Sequence, residues 1–186
     1  YNSMLAGNAS YLPTLADTYT SKAAWPGNIN AYAGGWGVSS NGKFYYIGGE
    51  SNGYAYSYDF SANSWSSSLN WIGNSYYTWG GGDCGIGSKI WLANVGYGGS
   101  NSQSLYGYET SNNTYTTYAN SPYSSRRGRG ASDKSNLLYY SFGYESAPTN
   151  DFAVYSASGN SWTTKTSSLT ASGTYDPTFA YFYTTG

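Results

Sequence analysis

Apolar and aromatic residues along this chain gather in short runs, which Gly, Asn and Ser cut off within roughly four to eight residues, the length of a strand rather than of a helix. Three runs stand out: Lys43-Phe44-Tyr45-Tyr46-Ile47-Gly48-Gly49, Lys89-Ile90-Trp91-Leu92-Ala93-Asn94-Val95 and Leu137-Leu138-Tyr139-Tyr140-Ser141-Phe142-Gly143. Phe44, Ile90 and Leu138 mark them at intervals of 46 and 48 positions. A second marker keeps the same beat. Tyr58-Asp59-Phe60-Ser61-Ala62-Asn63-Ser64-Trp65 is followed by Tyr108-Glu109-Thr110-Ser111-Asn112-Asn113-Thr114-Tyr115 and by Tyr155-Ser156-Ala157-Ser158-Gly159-Asn160-Ser161-Trp162, at intervals of 50 and 47 positions. Two independent markers that agree on a period near 48 define a repeat, and a repeat of this size decides the architecture.

Each unit reads as four short strands. Strand A is Gly-rich (31–38, 78–86 and 127–131), which lets backbones crowd together at an innermost position. Strand B is the aromatic-apolar run, buried on both faces. Strands C and D form a hairpin whose turn is Ser61-Ala62-Asn63, Ser111-Asn112-Asn113 or Ser158-Gly159-Asn160, where Asn and Gly tolerate a left-handed backbone.

The stretch from Gly34-Gly35 through Lys43 to Gly49, and on to Tyr58-Asp59 and Asn63-Ser64-Trp65, resembles a complete kelch repeat: a double glycine after strand B, a Tyr-Asp pair on strand C and a Trp opening strand D. The unit from Arg127 to Trp162 is similar but has Tyr144 for the second Gly and Ser156 for the Asp. The middle unit has Asn94-Val95-Gly96 for the diglycine and Tyr115 for the Trp. The resemblance covers about three quarters of the chain and implies an all-β fold, a β-propeller of four-stranded blades. It implies no activity, because kelch propellers include both enzymes and binding modules.

The two ends supply the rest of the ring. Tyr175 to Thr184 reads as strands A and B, while Tyr1 to Leu5 and Ser10-Tyr11-Leu12 read as strands C and D, with Tyr11 at the Trp65 position. The chain is therefore expected to be one domain, 1–186, with blades at approximately 31–66, 77–117, 126–165, and 174–186 plus 1–15. A quarter of 186 residues is 46.5, which matches the repeat. Closure by the terminal strands would remove open sheet edges. A wider ring built from two chains or within a longer protein is the alternative.

Composition narrows the partners. Charged residues make up 9% and the net charge is -1, so the chain lacks the basic field that nucleic acid demands. The 24 Tyr and 7 Trp replace aliphatic side chains in the core. No run approaches the roughly 18 apolar residues of a membrane-spanning helix. Asn8-Ala9-Ser10 and Asn112-Asn113-Thr114 are acceptor sequons, both on the expected C to D turn, and point to a secreted or extracellular glycoprotein. Cys84 has no second cysteine in the chain to pair with, and burial is its expected state.

Candidate chemistry is sparse. With no His, the Ser-His-Asp and Cys-His arrangements are impossible, as are a sialidase-like set of three separated Arg residues, since Arg126, Arg127 and Arg129 are clustered. No metal, cofactor or catalytic group is expected, and the chain reads as a non-enzyme. In a four-stranded blade the B to C and D to A loops share one face, and here they are long: 49–53, 96–104 and 143–150, with 14–30, 67–77 and 118–126. Long loops on a rigid scaffold place binding on that face. Its candidates are Trp25, Glu50, Tyr54, Trp71, Tyr76, Tyr97, Tyr123, Arg126, Tyr144 and Glu145, aromatic rings with a few polar groups that suit a glycan or an extracellular protein surface. The alternative is a self-assembling subunit of an extracellular fibre, coat or adhesive layer, copies of the chain being its partner. A near-zero charge and a Tyr-, Ser-, Asn- and Gly-rich surface would favour it.

Overall fold

The structure is a computed structural model that describes residues 21–26, 35–40, 42–48, 54–67, 69–70, 76–77, 81–97, 100–143 and 151–166. These residues form strands and turns and no helix, so the fold is all-β and no helix is long and apolar enough to cross a membrane. The first sheet runs in the order β1 (Gly35–Ser40), β2 (Lys43–Gly48), β3 (Tyr54–Asp59) and β4 (Ser64–Trp65). A two-stranded ribbon of β5 (Tyr76–Tyr77) and β9 (Gly96–Tyr97) follows. The second sheet runs β7 (Gly85–Ile86), β8 (Lys89–Ala93), β10 (Leu105–Glu109) and β11 (Thr114–Tyr118). The third runs β12 (Arg129–Ser132), β13 (Leu137–Ser141), β14 (Phe152–Ser156) and β15 (Ser161–Lys165).

Each four-strand order is antiparallel throughout. Turn chemistry sets the breaks. Gly42 and Gly87 take φ of +71° and +60° between the first two strands of their sheets, a region that costs glycine nothing. In the third sheet Lys134 takes φ of 63° instead, held because Asp133 Oδ1 accepts the N–H groups of Ser135, Asn136 and Leu137 at 2.8–2.9 Å.

The expected Gly-rich strand 78–86 is divided. Its first described part is β6 (Gly81–Asp83), which leaves its own sheet and pairs in parallel with β12, Gly82 opposite Gly130. Its last part is β7, and Cys84 stands between them. Backbone closeness explains the glycines: a Cβ at Gly130 would lie 2.6 Å from Cys84 Sγ and 2.8 Å from Tyr140 Cδ2. Strands β1, β6, β7 and β12 thus gather along one line, with the other strands of the three sheets stacked outward from it.

The core lies between successive sheets and is largely aromatic. Tyr45 of the first sheet meets Tyr108 of the second at 6.3 Å, and Trp91 of the second meets Tyr155 of the third at 5.2 Å. Ile47, Ile90, Leu92, Leu105, Phe142 and Tyr155 are fully buried, and β8 is buried at four successive positions, as a strand covered on both faces must be. Cys84 is buried, 1% exposed, within this core. Two four-stranded sheets, a third that β6 widens to five strands, and the two-stranded ribbon are present among the described residues. The fourth expected unit falls in 1–15 and 174–186, outside them, and a closed ring is not among the described features.

Candidate functional site

One device recurs in all three sheets and fixes how each meets the chain before it. In the hairpin of the first sheet, Asn63 adopts φ of 50°, and its Oδ1 accepts the Tyr58 hydroxyl at 2.5 Å and the Ala23 N–H at 3.0 Å. Asn113 (φ 58°) accepts the Tyr108 hydroxyl at 2.8 Å and the Asn70 N–H at 3.0 Å. Asn160 (φ 44°) accepts the Tyr155 hydroxyl at 2.8 Å and the Ala119 N–H at 2.9 Å. Trp65 and Trp162 add a second bond, each donating its indole N–H to the carbonyl of Ala23 or Ala119, at 3.1 and 2.9 Å. Where Tyr115 replaces Trp, Asn70 Nδ2 instead donates to the Asn113 carbonyl at 3.3 Å. Asn70 follows the outer strand of the first sheet and Ala119 that of the second, so the second and third sheets are each clasped by the segment leaving the sheet before, and the first by Ala23.

Turns also bind three of the described carboxylates, Asp59 and Glu109 at the C to D hairpins and Asp133 between β12 and β13. The Ser61 hydroxyl, then the backbone N–H of Ala62, hold the Asp59 carboxyl below its usual range. The Ser88 side chain does so first for Glu109, aided by Ser111. Burial pushes Asp133 up, but the N–H groups of Leu137, Asn136 and Ser135 outweigh it and the net shift is downward. These groups are acceptors that shape turns, ill suited to proton donation near neutral pH. Among the described residues no three His, Cys, Asp or Glu side chains gather as a metal-ligand set.

The opposite face carries the long loops, and there a single buried side chain organises two of them. Asn94, 4% exposed and at φ of 57°, directs Nδ2 at the carbonyls of Ser102 (2.5 Å) and Tyr123 (2.9 Å) and at Ser125 Oγ (3.0 Å). Its Oδ1 accepts the Ser121 hydroxyl at 3.3 Å. Ser102 and Ser125 exchange both backbone bonds at 3.0 Å, and the Ser121 N–H reaches the Gln103 carbonyl at 2.7 Å. Residues 100–104 and 121–125 are thereby joined into one platform. Sequence reasoning used Asn94 only as a substitute for a glycine. Its signal was available: a left-handed position that is polar and flanked by buried strand residues.

The structure brings some of the expected site residues together and disperses others. Tyr76 and Tyr97 are backbone partners in the β5–β9 ribbon, which joins the D to A loop of one unit to the B to C side of the next. Tyr123 and Arg126 lie on the Asn94 platform, both half-buried, with the Tyr123 ring 5.0 Å from that of Phe142. Tyr54 opens β3. Trp25 is elsewhere: its ring makes edge contacts with Tyr46 (4.5 Å), Tyr56 (5.0 Å) and Trp65 (4.6 Å), just after the Ala23 clasp, so it packs against the first sheet. Glu50, Trp71, Tyr144 and Glu145, like Asn8, lie outside the described residues. Asn112 is exposed on the C to D turn. No family model matches the chain, and no curated protein is matched by it.

Proposed function

We propose that the chain is a kelch-like β-propeller closed by a fourth blade from its two ends, and that it is a secreted, non-enzymatic recognition module for a glycan or a protein surface. The observation that carries the binding reading is the Asn94 platform. A buried side chain with four hydrogen-bonding partners fixes two long loops on one face, which is how a binding surface is preorganised. Closure is supported by Ala23. It clasps the first sheet as Ala119 clasps the third, and Thr18-Tyr19-Thr20-Ser21-Lys22-Ala23 reads like Thr114-Tyr115-Thr116-Thr117-Tyr118-Ala119. That correspondence favours a register in which Tyr19, rather than Tyr11, stands at the Trp65 position and Asp17 stands at that of Asn63.

A glycan array and a pull-down from an extracellular extract test the binding reading. A ligand captured by the intact chain should be lost with Tyr76→Ala and Tyr97→Ala together and kept with Ser158→Arg on the opposite face. Silence in both assays counts against it. The outer strands β11 and β15 support a second reading, assembly from copies of the chain: Thr114, Thr116, Thr117, Thr163 and Thr164 are exposed and uncharged on sheet edges. The described tyrosines weaken that reading, because every one of them whose side chain is described is buried or half-buried. Light scattering distinguishes the two, since a monomer at high concentration excludes assembly.

A further inference from the structure

Of the three C to D turns, the second carries a feature unrelated to the clasp. Asn112 and Thr114 are both exposed at its tip, and Thr114 Oγ1 donates to Asn112 Oδ1 at 2.6 Å. The neighbouring Asn113 is the clasp residue, half-buried, with its Oδ1 taken by Tyr108 and Asn70. Ala62 and Gly159 stand where Asn112 stands, so among the described turns the feature belongs to this one alone. The sequence also keeps the two roles apart. Each clasp asparagine is followed two residues later by an aromatic residue, Trp65, Tyr115 or Trp162, and none of the three is a sequon. Asn112 is followed by a hydroxyl, and among the described residues its Nδ2 has no hydrogen-bonding partner.

We infer that Asn112 is an N-glycan acceptor and that the sugar marks the A to B and C to D turn face, leaving the long-loop face bare. The chemistry is transfer from a lipid-diphosphate-linked oligosaccharide. Asn112 Nδ2 forms a bond to C1 of the first sugar and loses a proton, while the C1–O bond to phosphate breaks and the lipid diphosphate leaves with its electron pair. A hydroxyl donated to Oδ1 draws electron density from the amide and eases loss of that proton. The glycan has room because the turn is fastened from beneath: the Thr110 N–H and hydroxyl bond the Ser88 carbonyl at 3.0 and 2.7 Å, and the Asn113 N–H bonds the Glu109 carbonyl at 3.0 Å. This inference shares only the secretory route with the recognition reading.

The test is peptide mapping by mass spectrometry of the full chain, expressed behind a secretion leader in a host that N-glycosylates, after trimming with an endoglycosidase that leaves one N-acetylhexosamine. The leader supplies the route, so a negative result speaks against the site and leaves the loop-face reading standing. The expected result is a hexosamine on Asn112 that disappears in Asn112→Gln and in Thr114→Ala and persists in Thr114→Ser. Secreted chain bare at Asn112, or modification that survives Thr114→Ala, overturns it. Asn112→Gln, exposed and outside the clasp, should leave ligand capture unchanged; mapping reads Asn8 on a separate peptide.

Discussion

At the scale of single residues, the molecule depends on asparagines in a conformation that most side chains avoid. Asn160 holds φ of 44° while its Oδ1 accepts two bonds. Asn160→Gly removes the bonds but relieves the backbone, whereas Asn160→Ala removes the bonds and forces a Cβ into the left-handed region, at about 1 kcal/mol or more. Chemical unfolding should therefore rank wild type above Gly above Ala, with Tyr155→Phe lower than wild type by about 1 kcal/mol for its lost bond. Equal stability of the Gly and Ala variants would mean that the turn relaxes. The tyrosine donors also set a pH limit. Burial, with Tyr45 nearby, pushes Tyr108 up to about 12, and burial, with Tyr118 nearby, pushes Tyr155 up to about 12. The unfolded chain gives up these protons near pH 10 while the folded chain keeps them, so their contribution is complete below about pH 10 and is lost as pH rises towards 12. A pH titration of the unfolding midpoint should show that decline, reduced in Tyr155→Phe. The Tyr and Asn of each hairpin, with Trp65, Tyr115 or Trp162, were legible in the sequence as a repeated marker. Their partners were not, because Ala23 and Ala119 contribute only backbone groups, which leave no trace in residue identity, and Asn70 adds a side-chain amide that an Asn-rich chain does not single out.

At the scale of elements, hydrophobic runs and turn residues placed β2, β8 and β13 where they lie, but burial on both faces, expected of all three, holds for β8 alone, since Phe44 and Tyr46 of β2 and Leu137 and Tyr139 of β13 stay half-buried beside buried neighbours. The division of 78–86 at Cys84 had no such signal. A run of Gly81, Gly82 and Asp83 is compatible with pairing to either neighbour, and only the closeness of β12 decides it. Gly130→Ala tests that closeness. Its Cβ would meet Cys84 Sγ at 2.6 Å, and overpacking of this kind costs about 1–3 kcal/mol, which Cys84→Ala in the same chain should partly restore. Loop lengths suggested the long-loop face, but they could not tell that Trp25, counted on it, packs its ring on the first sheet. An aromatic residue in a long connection has the same sequence signature whether it faces solvent or packs on a sheet, and here Tyr46, Tyr56 and Trp65 surround it. Asn94 makes the converse case. Asn94→Ala removes the amide that ties the Ser102 and Tyr123 carbonyls to Ser125 and Ser121, so amide hydrogen exchange should quicken across 100–104 and 121–125 while β13 and β14 stay protected.

At the scale of the whole molecule, a stack of sheets in which each is clasped by the chain leaving its predecessor has a beginning that needs a donor and an end that needs an acceptor. Ala23 supplies the donor for the first sheet. On the third side, Thr166 stands four residues after Trp162, as Ala119 stands four residues after Tyr115, and it is the residue whose N–H would seek the next acceptor. In the proposed closure that acceptor is Asp17. An N–H donated to a carboxylate contributes about 1.5–3 kcal/mol, so Asp17→Ala should lower stability by that order, and Asp17→Asn, which preserves the oxygen, by less. Removal of residues 1–20 then becomes the sharper experiment, since it takes away the proposed acceptor together with its strands and leaves the Ala23 clasp in place. If the ring closes through this segment, the shortened chain should lose stability, expose a sheet edge and associate in light scattering, and a synthetic peptide of residues 1–20 added in trans should return it to a monomer. A shortened chain as stable and as monomeric as the original would show that the three described sheets need no fourth, and with it the proposed ring would fall while the clasps and the Asn94 platform would stand.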